Sequence, residues 1–166
     1  MDQEMEPRLN LALVALRVVL GVVFVVHGAQ KLFGWFGGGG IDGTAQFFAS
    51  LGLNPSEPLA LLSGAGELVG GLMMVLGVLV PLSALVLAVD MVVAILFRAI
   101  NLGFISGGGV ELNPLILAII LALVLLGPGR YSLEALIRRA ARLIQLSGSP
   151  GGGKSRHKGA ADGPTN

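Results

Sequence analysis

Four long apolar runs, separated by short polar or glycine-rich connectors, dominate the hydropathy pattern of this chain. They cover residues 9–33, 58–80, 82–100 and 114–126. About 20 residues at a rise of 1.5 Å cross the ~30 Å hydrocarbon core of a bilayer, and the shortest run needs flanking residues to do so. The pattern predicts an all-α membrane protein, a four-transmembrane-helix bundle spanning residues 9–130 after an acidic N-terminal tail (1–8).

Two glycine-rich connectors, 34–57 and 101–113, join the first run to the second and the third to the fourth. Within the first connector, residues 43–53 have the pattern of a short amphipathic helix. Such a helix would lie at the outer membrane surface with Phe47, Phe48 and Leu51 on one side.

The segment 131–146 predicts a fifth helix, capped by Ser132, with opposed apolar and basic faces. The apolar face comprises Leu133, Leu136, Ile137, Ala140 and Ile144, and the basic face Arg138, Arg139 and Arg142. This pattern predicts a surface helix that binds anionic lipid or, alternatively, docks a cytoplasmic partner. The remaining residues, 147–166, have a composition typical of a disordered tail.

The basic residues are unevenly distributed, and this asymmetry predicts the topology. Seven of the 11 Lys and Arg residues follow Gly129. Because positive charge marks the cytoplasmic side, the C-terminus is expected inside. Four spans then place the N-terminus inside too, and both glycine-rich connectors outside.

Of the first seven ionisable residues after the acidic tail, five lie in or at the edges of the apolar runs: Arg17, His27, Lys31, Glu67 and Asp90. A charge at bilayer depth is costly and usually faces a partner in the bundle interior. Counted from the expected helix ends, Arg17 and Asp90 lie ~12 Å deep and Glu67 ~13–14 Å from the opposite face, so all three share one level. We therefore predict a buried cluster of Arg17, Glu67 and Asp90. His27 and Lys31, with Arg98 and Glu111, would form a second layer nearer the outer surface.

These charges have a functional and a structural interpretation. A carboxyl group that exchanges protons at membrane depth suits proton-coupled redox chemistry, whereas buried ion pairs can also serve only to fix helix packing. Lys31 could equally extend to the membrane interface, and His27 could be a packing residue.

The composition narrows the chemistry. The chain has no Cys, which excludes thiol–disulfide exchange and thiolate-bound iron–sulfur clusters in this chain. The two His residues lack haem or zinc spacing, so no metal or haem is predicted. The glycine runs lack the strand, helix and Lys of a phosphate-binding loop, and nucleic acid is not an expected partner.

Several short motifs resemble the DoxX family of small bacterial and archaeal membrane proteins. They are Arg17, HGAQKLFGWF at 27–36, AGELVGG at 65–71, the following LGV and Pro81 turn, DMVVA at 90–94 and GPGRYSLE at 127–134, within a resemblance that covers residues 9–136. The family is a four-helix membrane bundle, and its relatives include the DoxD subunit of thiosulfate:quinone oxidoreductase. The resemblance implies a place in a membrane redox complex in the cytoplasmic membrane.

The resulting hypothesis is a membrane subunit of an oxidoreductase system that binds a quinone. Arg17, Glu67 and Asp90 would be the catalytic groups, and His27 and Lys31 would contact the quinone. Other redox subunits or further copies of the chain would be its protein partners. The alternatives are a non-enzymatic membrane scaffold or assembly protein and, as a third candidate, a small-solute transporter.

Overall fold

Helices make up most of the chain in a computed structural model that describes residues 2–102 and 112–147. The α-helices are α1 (Asp2–Phe33), α2 (Gly40–Ser50), α3 (Ser56–Leu76), α4 (Val80–Leu102), α5 (Leu112–Leu126) and α6 (Leu133–Ser147), with a short 3-10 helix at Trp35–Gly37. The all-α prediction is confirmed. The predicted disordered tail and most of the second connector lie outside the described residues.

Three of these helices, α1, α3 and α4, are long and apolar enough to cross a membrane, judged within the described ranges. About a third of the residues in their most apolar stretches are buried, at 28–33%. Large apolar side chains such as Leu72 and Val69 face outwards. An apolar exterior of this extent is typical of helices that face lipid.

Helix α1 is longer than predicted, because it includes the acidic segment 1–8 from Asp2 onwards. Its outer end packs on α3, α3 packs on α4, α4 packs on α5, and α5 returns to contact α1. The core between these helices contains Phe24, Met74, Leu87 and Leu123, all fully buried. Helix α5 has 15 residues and is apolar from Pro114 onwards.

Glycines set the close approach of α1 and α3. A methyl group built on Gly21 would lie 2.6 Å from the carbonyl oxygen of Gly71, and one on Gly28 would lie 2.5 Å from the backbone nitrogen of Leu68. Small residues at such crossings let two helix backbones come into contact. This contact fixes the register of the two helices, with residue 28 opposite residues 64–68.

The α3–α4 connection is a tight turn that follows from its sequence. Gly77 adopts a left-handed conformation (φ 68°), and the backbone N–H of Val78 donates to the carbonyl of Met73, which ends α3. Helix α4 then begins at Val80, and Pro81 lies in its first turn, where a missing N–H costs nothing.

The glycine contact yields a first prediction. Gly28→Ala should lower the thermal unfolding midpoint in detergent, because the added methyl group meets backbone rather than a movable side chain. Overpacking of this kind costs about 1–3 kcal/mol. The matched control is Gly43→Ala, whose new methyl group would have no neighbour within 4 Å. Equal midpoints for the two variants would contradict the proposed role of the α1–α3 contact.

Candidate functional site

Three charged side chains from three helices, all buried or half-buried, meet at one point: Lys31, Glu67 and Asp90. The ammonium nitrogen Nζ of Lys31 lies 3.0 Å from Glu67 Oε1 on α3 and 3.6 Å from Asp90 Oδ2 on α4. Lys31 also donates a hydrogen bond of 2.7 Å to Ser63 Oγ, and Ser63 donates one of 2.5 Å to Asp90 Oδ1. We call Lys31, Ser63, Glu67 and Asp90 the charge cluster.

The α1–α3 register explains why these residues meet. Gly28 and Gly64 bring the two backbones together one turn from Lys31 and Glu67. Ser63 and Glu67 are four residues apart and so share a face of α3. Asp90 faces the same point from α4.

Glu67 is the most deeply buried member of the cluster, with a side chain 2% exposed. One carboxyl oxygen contacts Lys31, while the other, Oε2, has no hydrogen-bond partner among the described residues. A buried polar oxygen without a partner is rare in proteins and is costly to maintain. It is therefore a candidate contact for a ligand.

A cavity of about 390 Å³ opens beside the charge cluster. His27, Lys31, Glu67, Asp90 and Asn113 form its polar part. The rest of the lining is largely apolar: Phe24, Phe47, Phe48, Leu51, Leu53, Met91, Val93, Ala94, Phe97 and Ile116, with Gly39, Gly43 and Thr44. Mostly apolar walls with a few convergent polar groups are typical of small-molecule sites.

Helix α2 forms one side of this cavity. Phe47 and Phe48 on α2, and Leu51 directly after it, all line the cavity. The helix predicted at 43–53 is found at Gly40–Ser50. Thr44 Oγ1 donates to the carbonyl oxygens of Gly40 at 2.7 Å and Lys31 at 3.3 Å, which ties α2 to the end of α1. The ring of Phe48 also lies 5.9 Å from Lys31 Nζ, within the range of a cation–π contact.

The predicted cluster of Arg17, Glu67 and Asp90 is wrong in one member. Arg17 is buried, but its guanidinium donates hydrogen bonds to the backbone carbonyls of Pro128 and, at 2.9 Å, Tyr131. It lies beside Gly77, at the far end of α3 from Ser56. Along α1, 14 residues separate Arg17 from Lys31, a distance of roughly 21 Å.

The error came from the start assigned to the first span. Taking residue 9 as the membrane entry placed Arg17 level with Glu67. In the structure Arg17 is level with Gly77, so α1 extends past the end of α3 by about four turns. Glu67 and Asp90 do share a level, and Lys31 supplies the cation that had been assigned to Arg17. Lys31 is thus part of the charge cluster and not of a separate second layer. The other two residues predicted in that layer cannot be placed, because the side chain of Arg98 and all of Glu111 lie outside the described residues.

Arg17 instead holds the connection between α5 and α6. The backbone N–H of Arg130 donates to Asn10 Oδ1 at 2.7 Å, so α1 binds this segment at a second point. Ser132 caps α6 as predicted, accepting a hydrogen bond of 3.1 Å from the N–H of Ala135. We call Arg17, Asn10 and the segment 128–132 the inner latch.

Sequence reasoning missed three polar residues of the site. Ser63, Thr44 and Asn113 are short polar side chains, common in helices and at helix starts, and nothing in their spacing distinguished them. Asn113 lies in the first turn of α5 and lines the cavity. Among the described residues, no group of three or more His, Cys, Asp or Glu side chains could hold a metal ion.

Comparison with known proteins supports the resemblance seen in the motifs. The DoxX family model matches residues 12–99, a range that includes the whole charge cluster and His27. CatD of Bacillus subtilis strain 168, a protein provisionally named as an oxidoreductase, is 32% identical over 122 residues, which are 74% of this chain and 84% of the relative. An uncharacterised protein of Haemophilus influenzae is 29% identical over 127 residues, covering 72% of this chain and 85% of the relative. No solved structure gives a significant match.

The charge cluster leads to a prediction about the stabilities of a single and a double variant. Lys31→Met leaves two carboxyl groups facing each other without their cation. Removing one partner of a buried pair costs about 3–5 kcal/mol, and because Lys31 is 24% exposed we expect the lower end of this range. Adding Glu67→Gln should recover part of the loss, as measured by unfolding of both variants in detergent. A double variant no more stable than Lys31→Met would show that the carboxylates do not repel each other.

The inner latch generates a separate prediction. Arg17→Gln should lower the stability of the protein by about 1–3 kcal/mol, because backbone carbonyls of the α5–α6 connection lose their donors. Limited proteolysis should also cleave residues 127–132 faster. The matched control is Arg142→Gln on exposed α6, which should change neither. If Arg17→Gln left both stability and cleavage unchanged, the latch would have no structural role.

Proposed function

Because the chain belongs to the DoxX family, we propose that it is an integral membrane subunit of a quinone-linked oxidoreductase system, with the quinone head group bound in the cavity beside the charge cluster. The observation that carries the proposal is the buried carboxyl of Glu67, which lines an apolar cavity with one oxygen unpartnered. The provisional name of CatD as an oxidoreductase supports a redox role over a purely structural one.

The cavity suits an uncharged aromatic ring with oxygen atoms at its edge. A quinone offers carbonyl oxygens, which need donors, and its reduced form offers hydroxyl groups, which need acceptors as well. Lys31 and Asn113 supply donors, and Glu67 Oε2 supplies an acceptor. Phe24 and Phe48 offer aromatic surface for the ring. The volume of about 390 Å³ lies within the range of roughly 300–1,000 Å³ usual for ligand pockets.

In this proposal the residues position the ring and manage protons. A bound quinone supplies the capacity to take up two electrons and two protons. Lys31 polarises a ring oxygen, and Glu67 exchanges a proton with it directly. Asp90 is linked to Lys31 through Ser63, whose hydroxyl donates a hydrogen bond to Asp90 and accepts one from Lys31. In this proposal the two electrons come from a partner subunit.

The proposed membrane placement adds a fourth span to the three spanning helices. Helix α5, with its flanking residues, would form a fourth span in the cytoplasmic membrane and bring both termini to the cytoplasmic side. Lys31 lies near the end of α1 that precedes the first connector, so the cavity would open towards the outer half of the bilayer. Helix α6, whose Leu136 and Leu143 are exposed, would lie on the inner surface against anionic lipid.

A scaffold or assembly role is the second candidate, and the charge cluster itself favours it. Its contacts join α1, α3 and α4, and buried ion pairs of this kind can define geometry without any ligand. In a scaffold, Glu67→Gln would change stability or the set of co-purifying proteins, but no quinone would be present to lose.

The test is quinone content after gentle solubilisation and organic extraction, followed by titration with a soluble quinone. Wild-type protein should carry near-stoichiometric quinone. Glu67→Gln should bind the reduced form of the added quinone, whose hydroxyl group donates to Glu67, roughly 10- to 100-fold more weakly, the effect of losing a hydrogen bond to a charged group. Glu57→Gln is the matched control, an exposed carboxylate in the first turn of the same helix that does not line the cavity.

Two results would contradict the proposal. One is wild-type protein without extractable quinone and without saturable binding of the added compound. The other is equal affinity for the reduced form in the Glu67→Gln and Glu57→Gln variants, which would move the binding site away from the charge cluster.

A further inference from the structure

A second concave surface lies on the outer, lipid-facing side of α3 and α4. It is a groove of about 400 Å³ whose walls are almost entirely apolar. Its lining away from the cavity comprises Leu59, Leu62, Gly66, Leu85, Val86 and Val89. Leu62 is 70% exposed and Val89 is 55% exposed, so the groove opens outwards along the bundle.

The groove and the cavity are adjacent and share part of their walls. Phe48, Leu53, Asp90 and Val93 line both. Ser63 also lines the groove and is bonded to Lys31 and Asp90 of the charge cluster. The polar atoms of the groove are therefore concentrated where it meets the cavity, and the remainder is apolar.

The shape of the groove depends on a glycine. Gly66 has no side chain to fill the space between α3 and α4, and a methyl group there would lie 3.2 Å from Val86 Cγ1. Gly66 directly precedes Glu67 in the chain. The same helix turn thus provides the unpartnered carboxyl to the cavity and the open space to the groove.

We propose that this groove holds the isoprenoid tail of a quinone whose head lies in the cavity, and that such a lipid-soluble quinone enters sideways from the bilayer between α3 and α4. The inference rests on the proposed function and specifies its substrate class: a long-tailed membrane quinone, not a small water-soluble one. The head would reach Glu67 by passing Phe48 and Asp90, the residues common to both spaces.

The charges identify the occupant as a quinone tail and not as the acyl chain of a bilayer phospholipid. An amphiphile in the groove has its polar end at Ser63 and Asp90. Ser63 lies seven residues into α3, roughly 10 Å from its start. A phosphate group at that point would lie in the apolar region and beside a cluster of one ammonium and two carboxyl groups, whose net charge is negative when both carboxyls are ionised. Both conditions are unfavourable for a phosphate. An uncharged quinone ring has neither cost.

The experiment measures the affinity of two ligands for each of two variants. The ligands share one benzoquinone head, with a decyl tail or with no tail. Val89→Trp fills the groove from an exposed position that folding tolerates, and Val92→Trp is the matched control on the same helix, 43% exposed and outside both spaces. Affinities are measured for each pair in the same lipid nanodiscs.

Val89→Trp should weaken binding of the tailed ligand roughly tenfold, the effect of forcing an extra group into an occupied space. The same variant should leave the tailless ligand unchanged, and Val92→Trp should change neither. A decyl tail with a terminal diazirine should also label peptides containing residues 59–66 or 85–89 in the wild-type protein.

The outcomes separate the two claims. If wild-type protein binds the tailless ligand but Val89→Trp affects both ligands equally or neither, the head-group site stands and the tail groove is wrong. Labelling confined to other lipid-facing positions would overturn the groove in the same way. If neither ligand binds wild-type protein, the proposed function fails, and the tail site fails with it.

Discussion

The contact between one ammonium group and two carboxyl groups determines how three helices of this molecule meet. Lys31, Glu67 and Asp90 come from three different helices, and none can be moved away without leaving a charge in an apolar environment. The contact is possible only because glycines on α1 and α3 let the two backbones touch one turn away. Helix packing and the arrangement of the charge cluster therefore both depend on the close approach of α1 and α3.

The two buried cations of α1 have different roles at opposite ends of the bundle. Arg17 donates to backbone carbonyls and holds the α5–α6 connection, whereas Lys31 contacts carboxylates and borders a cavity. Guanidinium groups have several fixed donors suited to bridging carbonyls, while an ammonium group is a compact charge that can contact several partners. The assignment of one cation to structure and the other to binding follows from these partners.

Sequence alone predicted the helices well and the site in part. Apolar runs of spanning length and capping residues such as Ser132 are local signals, and each predicted a helix that the structure contains, although α1 begins seven residues earlier than the predicted residue 9. His27, Lys31, Glu67 and Asp90 were selected because charges in apolar runs are costly, and the structure brings all four to one cavity. Arg17 was misplaced because depth was counted from the apolar run, whereas the register is set by the glycine contacts of α1 with α3. The groove beside Gly66 could not be predicted, because it depends on how α3 and α4 pack.

The most direct test of the central claim, that the cavity at Lys31 and not the region of Arg17 binds the quinone head, is photolabelling with an azido-quinone that carries the reactive group on its ring. Labelled sites would be mapped by mass spectrometry with and without excess unlabelled quinone. We expect competable labelling on the cavity walls, within residues 27–31, 47–53 and 90–97. Competable labelling of residues 127–132 at the inner latch, or labelling that excess quinone does not reduce, would contradict the claim.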